Sequence, residues 1–355
     1  MNCASPESKS AFFADTLIDW HARHGRHDLP WQRQRTPYRV WVSEIMLQQT
    51  QVATVIGYYD RFMARFPDVS VLAAASADEV LHLWSGLGYY SRARNLHRAA
   101  QMVVSEYGGL FPSEAQGLMS LPGIGRSTAA AILSLAFERR ATILDGNVKR
   151  VLARYFAIEG SPSERAVEQQ LWQRAEDCTP HAQPATYTQA IMDFGATLCT
   201  RSKPLCMHCP IQTQCSGYQL GRVDRLPSAR KRALRPTRQV VMLLAVNHEG
   251  EVLLQHRPPQ GIWGGMWTPP QFDSTQAAST FCETTLSAQL PEAQLMAPLR
   301  HAFTHFDLEI TPICVQCQKS SMVMEGGGAL WYSMRNPARI GLPAPIVTLL
   351  ARLES

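Results

Sequence analysis

The chain has 355 residues, 45% of them hydrophobic and 18% charged, which is enough for two domains with a core each. No apolar run approaches the roughly 20 residues that span a bilayer, and Met1 to Ser10 lacks the charged-then-apolar order of a signal peptide. A cytoplasmic setting is the default expectation, while a net charge of +5 permits nucleic acid as a partner without demanding it.

The first half carries helical spacing. Val42, Ile45, Met46, Gln49, Val52, Ala53 and Ile56 fall on one side of a helical wheel, so a single helix is predicted across them. Glu44 lies on the other side, beside Leu47 and Gln51. A solvated glutamate is the ordinary reading; the apolar company of Val40 and Leu47 would instead raise its pKa and keep it protonated for acid catalysis.

Leu121-Pro122-Gly123-Ile124-Gly125-Arg126-Ser127-Thr128 puts two glycines in a turn and then opens a helix that runs to about Phe137. Such a turn presents backbone N–H groups and a helix N-terminus, which suits a phosphate, although it is also a common tight turn. Ser127 or Thr128 is expected to cap the helix. Next, Ile143-Leu144-Asp145-Gly146 sets a carboxylate after an apolar pair, ahead of helical spacing from Val148 to Phe156. Asp145 reads as a helix cap, or as a partly buried carboxylate able to stabilise a cation developing on a sugar.

Cys199, Cys206, Cys209 and Cys215 fall in one short stretch, too tightly grouped to be independent structural thiols. The other five cysteines are scattered and there is no secretory signal, so a disulfide framework is not implied. The quartet is a metal or iron–sulfur site, and its spacing alone leaves zinc open. Arg201 and Lys203 lie in the first gap, on a loop stiffened by Pro204 and suited to an anion. A basic stretch follows: Arg222, Arg225, Arg230, Lys231, Arg232, Arg235 and Arg238, broken by Pro227 and Pro236. It reads as a linker that can also follow a phosphate backbone.

After the linker the texture changes to strands. Residues 240–246 and 251–255 are short apolar runs around the turn Asn247-His248-Glu249-Gly250, and His305 to Ile310 alternates polar and apolar. Glycines and prolines make the segment around Trp263 and Trp267 a structured loop. The expected architecture is an all-helical half followed by an α+β half, divided within residues 225–238.

The glycine hairpin, the Asp145 segment and the cysteine quartet, in this order and spacing, resemble the helix-hairpin-helix DNA glycosylases that carry a [4Fe-4S] cluster. Trp41-Val42-Ser43-Glu44-Ile45-Met46-Leu47-Gln48-Gln49-Thr50, the run Gly86-Leu87-Gly88-Tyr89-Tyr90-Ser91-Arg92-Ala93-Arg94-Asn95-Leu96 and the added C-terminal region resemble the adenine-specific branch of that superfamily. The resemblance covers nearly the whole chain. It implies an all-α helix-hairpin-helix glycosylase domain with a [4Fe-4S] module over 1–225, with the hairpin-bearing subdomain at about 28–137 and the cluster subdomain made of 1–27 plus 138–225. A basic linker at 226–238 and an α+β Nudix-like lesion-recognition domain at 239–355 would follow.

By the same resemblance the chain is a monomer of bacterial type acting on double-stranded DNA. It would remove adenine mispaired with 8-oxoguanine or guanine, with no membrane partner. Glu44 would protonate a ring nitrogen of adenine, Asp145 would stabilise the sugar cation, and Asn147 would orient a carboxylate or water. Ser127 stands where strand-cutting relatives carry a lysine, and serine cannot form their Schiff base. Gln49 and Tyr89 would wedge into the duplex, and Gly123, Gly125, Arg201 and Lys203 would meet phosphates. Trp31, Leu47 and Val52 would line the adenine pocket. Phe303, Thr304 and His305 would read 8-oxoguanine. The C-terminal region lacks the acidic helix of a Nudix hydrolase, and Cys314 and Cys317 are taken as packing residues. The rival readings are a bifunctional glycosylase-lyase for oxidised pyrimidines, a catalytically silent lesion-binding protein and a zinc-bound DNA-binding module.

Overall fold

The computed structural model describes residues 6–228, 234–286, 288, 296–318 and 328–353. By packing, the chain divides into two compact units, Met1–Ala73 with Arg98–Arg232, and Ala74–His97 with Ala233–Ser355. The helices of the first half are α1 (Pro6–His24), α2 (Pro37–Leu47), α3 (Val52–Arg65), α4 (Val69–Ala74), α5 (Ala77–Trp84), α6 (Ser91–Tyr107), α7 (Ala115–Ser120), α8 (Arg126–Phe137), α9 (Gly146–Tyr155), α10 (Arg165–Cys178), α11 (Pro184–Thr197) and α12 (Ser216–Gln219).

Local chemistry sets where they start. Thr36 accepts from the Arg39 N–H ahead of α2, with Pro37 in the first turn, and Ser76 accepts from the Glu79 N–H ahead of α5. The single helix expected over Val42 to Ile56 is in fact two. It stops at Leu47, Gln49 takes a left-handed φ of 58°, and the chain resumes as α3 at Val52. The apolar spacing continues across the break because both helices face one core, with Trp41, Tyr59 and Phe62 almost fully buried.

The first unit closes around α1 and α11. Asp193, with no exposed surface, accepts from the Arg26 backbone N–H at 2.8 Å, from Arg26 Nε at 3.0 Å and from Gln189 Nε2 at 3.0 Å. A buried carboxylate so fully partnered locks the N-terminal segment to a helix far along the chain.

In the second unit a mixed sheet runs β3 (Trp267–Thr268), β2 (Glu251–His256), β1 (Thr237–Val246), β6 (Asp307–Gln316), β5 (Leu299–Ala302). In addition, β4 (Gln271–Phe272) pairs with β1, and β7 (Ala329–Ser333) with β2. The predicted hairpin forms with Val246 opposite Val252, its turn held by Asn247 Oδ1, which accepts from the Glu249 and Glu251 N–H groups. The β1–β6 pair is parallel, with Val240 beside Ile310. One face of the sheet buries Leu243, Leu253, Ile313 and Val315 against Ala278 and Cys282 of α13 (Thr275–Thr285). Cys317 packs on this core too, while Cys314 occupies an alternate position of β6. The last helix is α14 (Ala344–Ala351).

Residues 74–97, helical in sequence, pack with this sheet. Trp267 donates its indole N–H to Asp78 at 2.9 Å, and the Leu342 N–H reaches Ser85 Oγ at 3.3 Å. Of the basic stretch, Leu226 is buried, the Ser228 N–H binds the Gly160 carbonyl, and β1 begins at Thr237. Arg230, Lys231 and Arg232 lie outside the described residues. No described helix is long and apolar enough to cross a membrane.

Candidate active site and its surroundings

Four elements of the first unit build the site. The turn after α7 places Gly123 at a φ of 82°, and Gly125, not Ser127 or Thr128, is the N-cap of α8. The reason is register: the helix already begins at Arg126, so Ser127 sits inside its first turn. Its hydroxyl turns instead to the chain before α9 and accepts the Leu144 N–H at 3.0 Å. That contact fixes the residue preceding Asp145.

Asp145 caps α9, with Oδ1 accepting the Val148 N–H at 2.7 Å. Burial pushes its carboxyl above the ordinary range, against the pull of the Val148 and Asn147 N–H groups and the positive charges of Arg150 and Lys149. Glu44, half-buried on α2, is set among buried Val40, Ser43 and Ile45. Burial first, and the negative charge of Asp145 second, push its carboxyl up to about 8. Two carboxyl groups thus sense one another in unlike surroundings. Asp145 has N–H donors directed at its carboxylate and lies in the field of Arg150 and Lys149, whose own charged groups bind elsewhere, and Glu44 holds its proton at neutral pH.

Asn147, in the first turn of α9, accepts from Arg150 Nη2 at 2.9 Å. The same guanidinium reaches the Gly195 carbonyl at 2.7 Å and, through Nε, the Cys199 carbonyl at 2.9 Å. Position 195 admits only glycine, since a Cβ there would lie 2.8 Å from that of Asn147. One turn on, Arg154 is only 3% exposed and donates to the carbonyls of Thr200 at 2.6 Å, Arg201 at 3.1 Å, Val223 at 3.0 Å and Leu226 at 2.9 Å, and to Cys199 Sγ at 3.4 Å. Sequence reasoning missed both arginines. The available signal was Arg154 itself, a cation flanked by Val151, Leu152 and Tyr155 on the apolar side of an amphipathic helix.

Cys199, Cys206, Cys209 and Cys215 are half-buried and line one small cavity of about 20 Å³, walled by Val151, Tyr155, Phe194, Leu198 and Ile211. Burial pushes the Cys209 thiol up to about 12, the neighbouring thiols adding to it. Four soft sulfur donors around an apolar cavity fit a group that takes thiolates. Among the described residues, no three His, Cys, Asp or Glu side chains close on a single-ion site. Arg201 and Lys203 are exposed on the loop between the first two cysteines, Lys203 with a left-handed φ of 55°.

Of the remaining expected residues in this unit, Trp31 is buried edge-on to Tyr59 at 5.4 Å, on a turn that packs against α2 and α3. Leu47 and Val52 are half-buried at the facing ends of those helices, with exposed Gln49 between them. In the second unit, Tyr89 is 45% exposed at a φ of 49°. The carbonyl of Gly88 before it accepts from Trp84 Nε1 at 3.1 Å and Arg92 Nη2 at 3.2 Å. Thr304 and His305 are exposed at the β5–β6 tip, closed by the Phe303 N–H to the Phe306 carbonyl at 2.9 Å.

The glycine hairpin that opens α8 and the half-buried carboxylate that caps α9 fall within one helical base excision DNA repair fold. Residues 42–177 match the family model of the HhH-GPD superfamily base excision DNA repair protein, and residues 241–352 match the NUDIX domain. The chain belongs to the adenine DNA glycosylase family. It is 35% identical over 342 residues to the adenine DNA glycosylase of Buchnera aphidicola subsp. Baizongia pistaciae, covering 96% of this chain and 97% of that one. To the rat protein of that name it is 36% identical over 389 residues, covering 92% of this chain and 75% of the relative. Among solved structures, a thermostable thymine-DNA glycosylase superposes with a TM-score of 0.56 at 30% identity, over 61% of this chain and all of that one. An endonuclease III–DNA complex shares the fold at a TM-score of 0.52 and 22% identity, over 62% of this chain and 99% of that one.

Proposed function

We propose that the chain excises adenine paired with 8-oxoguanine or guanine from double-stranded DNA as a monofunctional N-glycosylase, and that Glu44 and Asp145 perform the chemistry. The observation that carries this is the carboxyl pair: one group protonated at neutral pH, the other capping a helix with donors trained on its anion. Adenine must leave the stack to reach them. Glu44 gives its proton to an imidazole nitrogen of the flipped base, and the C1′–N9 bond breaks with its electron pair leaving on adenine. Asp145 steadies the positive charge left at C1′. Water then bonds to C1′ and loses its proton to Asp145, with Asn147, held by Arg150, orienting this end of the site. Ser127 offers no amine and its hydroxyl is engaged by Leu144, which supports an abasic product without strand cleavage.

Trp31, Leu47 and Val52 would enclose the base. Gln49 and Tyr89 would fill the space it vacates, and the Gly123–Gly125 turn with Arg201 and Lys203 would take phosphates. Cys199, Cys206, Cys209 and Cys215 would hold a [4Fe-4S] cluster, whose contribution is to cross-link the loop bearing those cations. The domain division expected from the sequence, with a lesion reader at Phe303, Thr304 and His305, and a monomeric enzyme complete the proposal.

The test is a single-turnover incubation with duplexes containing adenine opposite 8-oxoguanine or guanine, divided into alkali-treated and untreated halves. Breaks only after alkali are expected. Breaks in the untreated half, or intact strands in both, would overturn the reading.

A further inference from the structure

The loop before β3 has no part in the site just described, yet it is held in an unusual way. Trp263 is buried, 5% exposed, with a left-handed φ of 53° that an aromatic residue rarely adopts. Gly264 follows, and a Cβ there would lie 2.2 Å from the Pro259 carbonyl oxygen, so the loop folds back on itself at this point. That fold is tied to α6. Arg94 Nη1 donates to the Gly264 carbonyl at 2.7 Å, and its stem lies along Gly265, whose own N–H groups the loop to the Arg257 and Pro258 carbonyls.

Trp263 in turn supports the β5–β6 tip. Its ring is 5.6 Å from Phe303 and 6.0 Å from His301, and those two meet edge-on at 4.7 Å. Phe303 stacks on Phe306 at 4.7 Å, with the Arg238 guanidinium 4.4 Å from the far ring. Thr304 and His305 project from this aromatic base. At the other end, the Arg94 N–H binds the Tyr90 carbonyl and the Arg92 N–H that of Tyr89, so the first turn of α6 grows directly from the Tyr89 turn.

We infer that Arg94 is a positioning residue for discrimination of the base opposite adenine. Through Gly264 and Trp263 it holds the Phe303–Phe306 tip in register with the Tyr89 turn, so that the wedge and the reader share one frame. The inference rests on the proposed role of Phe303, Thr304 and His305. It assigns Arg94 and Trp263 no contact with DNA or with the reacting atoms.

Arg94→Met keeps the stem and removes the donor; Trp263→Leu removes the ring and leaves the hydrogen bond. Single-turnover rates and affinities are measured for each on duplexes with adenine opposite 8-oxoguanine and opposite guanine. In both variants the preference for 8-oxoguanine is expected to fall by about tenfold, the scale of one charge-assisted hydrogen bond, while excision opposite guanine stays within about twofold. Combining them should cost little more than either alone, because they act in series. A parallel loss on both duplexes in both variants, or an unchanged preference in either folded variant, overturns the inference. Should Arg94→Met not fold, Trp263→Leu decides. A parent enzyme with no preference for 8-oxoguanine would instead overturn the reading of the tip on which the inference stands.

Discussion

Ser127 Oγ accepts the backbone N–H of Leu144 at 3.0 Å, so the first turn of α8 fixes the residue that precedes Asp145. The hairpin helix and the proposed catalytic carboxylate are thereby joined by one hydrogen bond. Ser127→Ala is expected to lower the single-turnover rate severalfold and to destabilise the fold by about 1 kcal/mol, leaving duplex affinity unchanged. Kinetics, thermal melts and binding on one preparation would check it, and an unaltered rate would sever Ser127 from the site.

Glu44 makes the pH dependence specific. Activity should fall as pH rises through about 8, when the carboxyl loses the proton it is proposed to donate. With Asp145 in its proposed role, the acid limb should lie above the ordinary aspartate value, because burial raises its carboxyl. Glu44→Gln should remove excision while retaining binding.

Stability should fall with rising pH as well, but here Glu44→Gln is expected to help rather than harm. Unfolded, Glu44 ionises near 4.5, and folded near 8, so ionisation works against the native state. The penalty is absent below 4.5, grows between these values and is complete above about 8. At about 1.4 kcal/mol per unit it amounts to a few kcal/mol. Glu44→Gln should therefore melt higher than the parent at pH 8 and alike below pH 4.5, and equal melting at pH 8 would contradict the assigned environment.

The arginines around the quartet divide into two kinds. Arg154→Met strands the carbonyls of Thr200, Arg201, Val223 and Leu226 that it now serves, and should reduce iron content, visible absorbance and folded yield together. Arg201→Ala and Lys203→Ala touch only exposed cations. They should keep iron and colour, weaken duplex binding, and each make the salt dependence of log affinity shallower by about one. A zinc-loaded, colourless parent would remove the cluster from this scheme.

Thr304→Val replaces the exposed hydroxyl of the β5–β6 tip by a methyl group of similar size. Preference for 8-oxoguanine over guanine should drop several-fold if that hydroxyl meets the lesion. Competition between the two duplexes measures it directly.

Much of this was legible in the sequence because it is local. The change from helical to alternating spacing marks the two halves, and Asp145 before a glycine reads as the cap it is. The break at Gln49 was hidden because two helices facing one core preserve the same period through a turn. Ser127 was misplaced by two residues of register, and its true partner lies 17 residues on. Arg154 has partners 45 and more residues away, and local spacing carries no information about contacts of that span. The packing of residues 74–97 with the sheet depends likewise on tertiary fit, through Trp267 with Asp78 and Arg94 with Gly264.

Gln49 and Tyr89 both sit in left-handed backbone, a conformation that costs side-chain-bearing residues on the order of 1–3 kcal/mol. In the wedge role proposed for them, a conformation set by folding itself need not be remade at each base pair tested, so inspection can be brief and most encounters can end in release. For the proposed search of a long duplex for rare mispairs, speed of rejection matters as much as strength of grip.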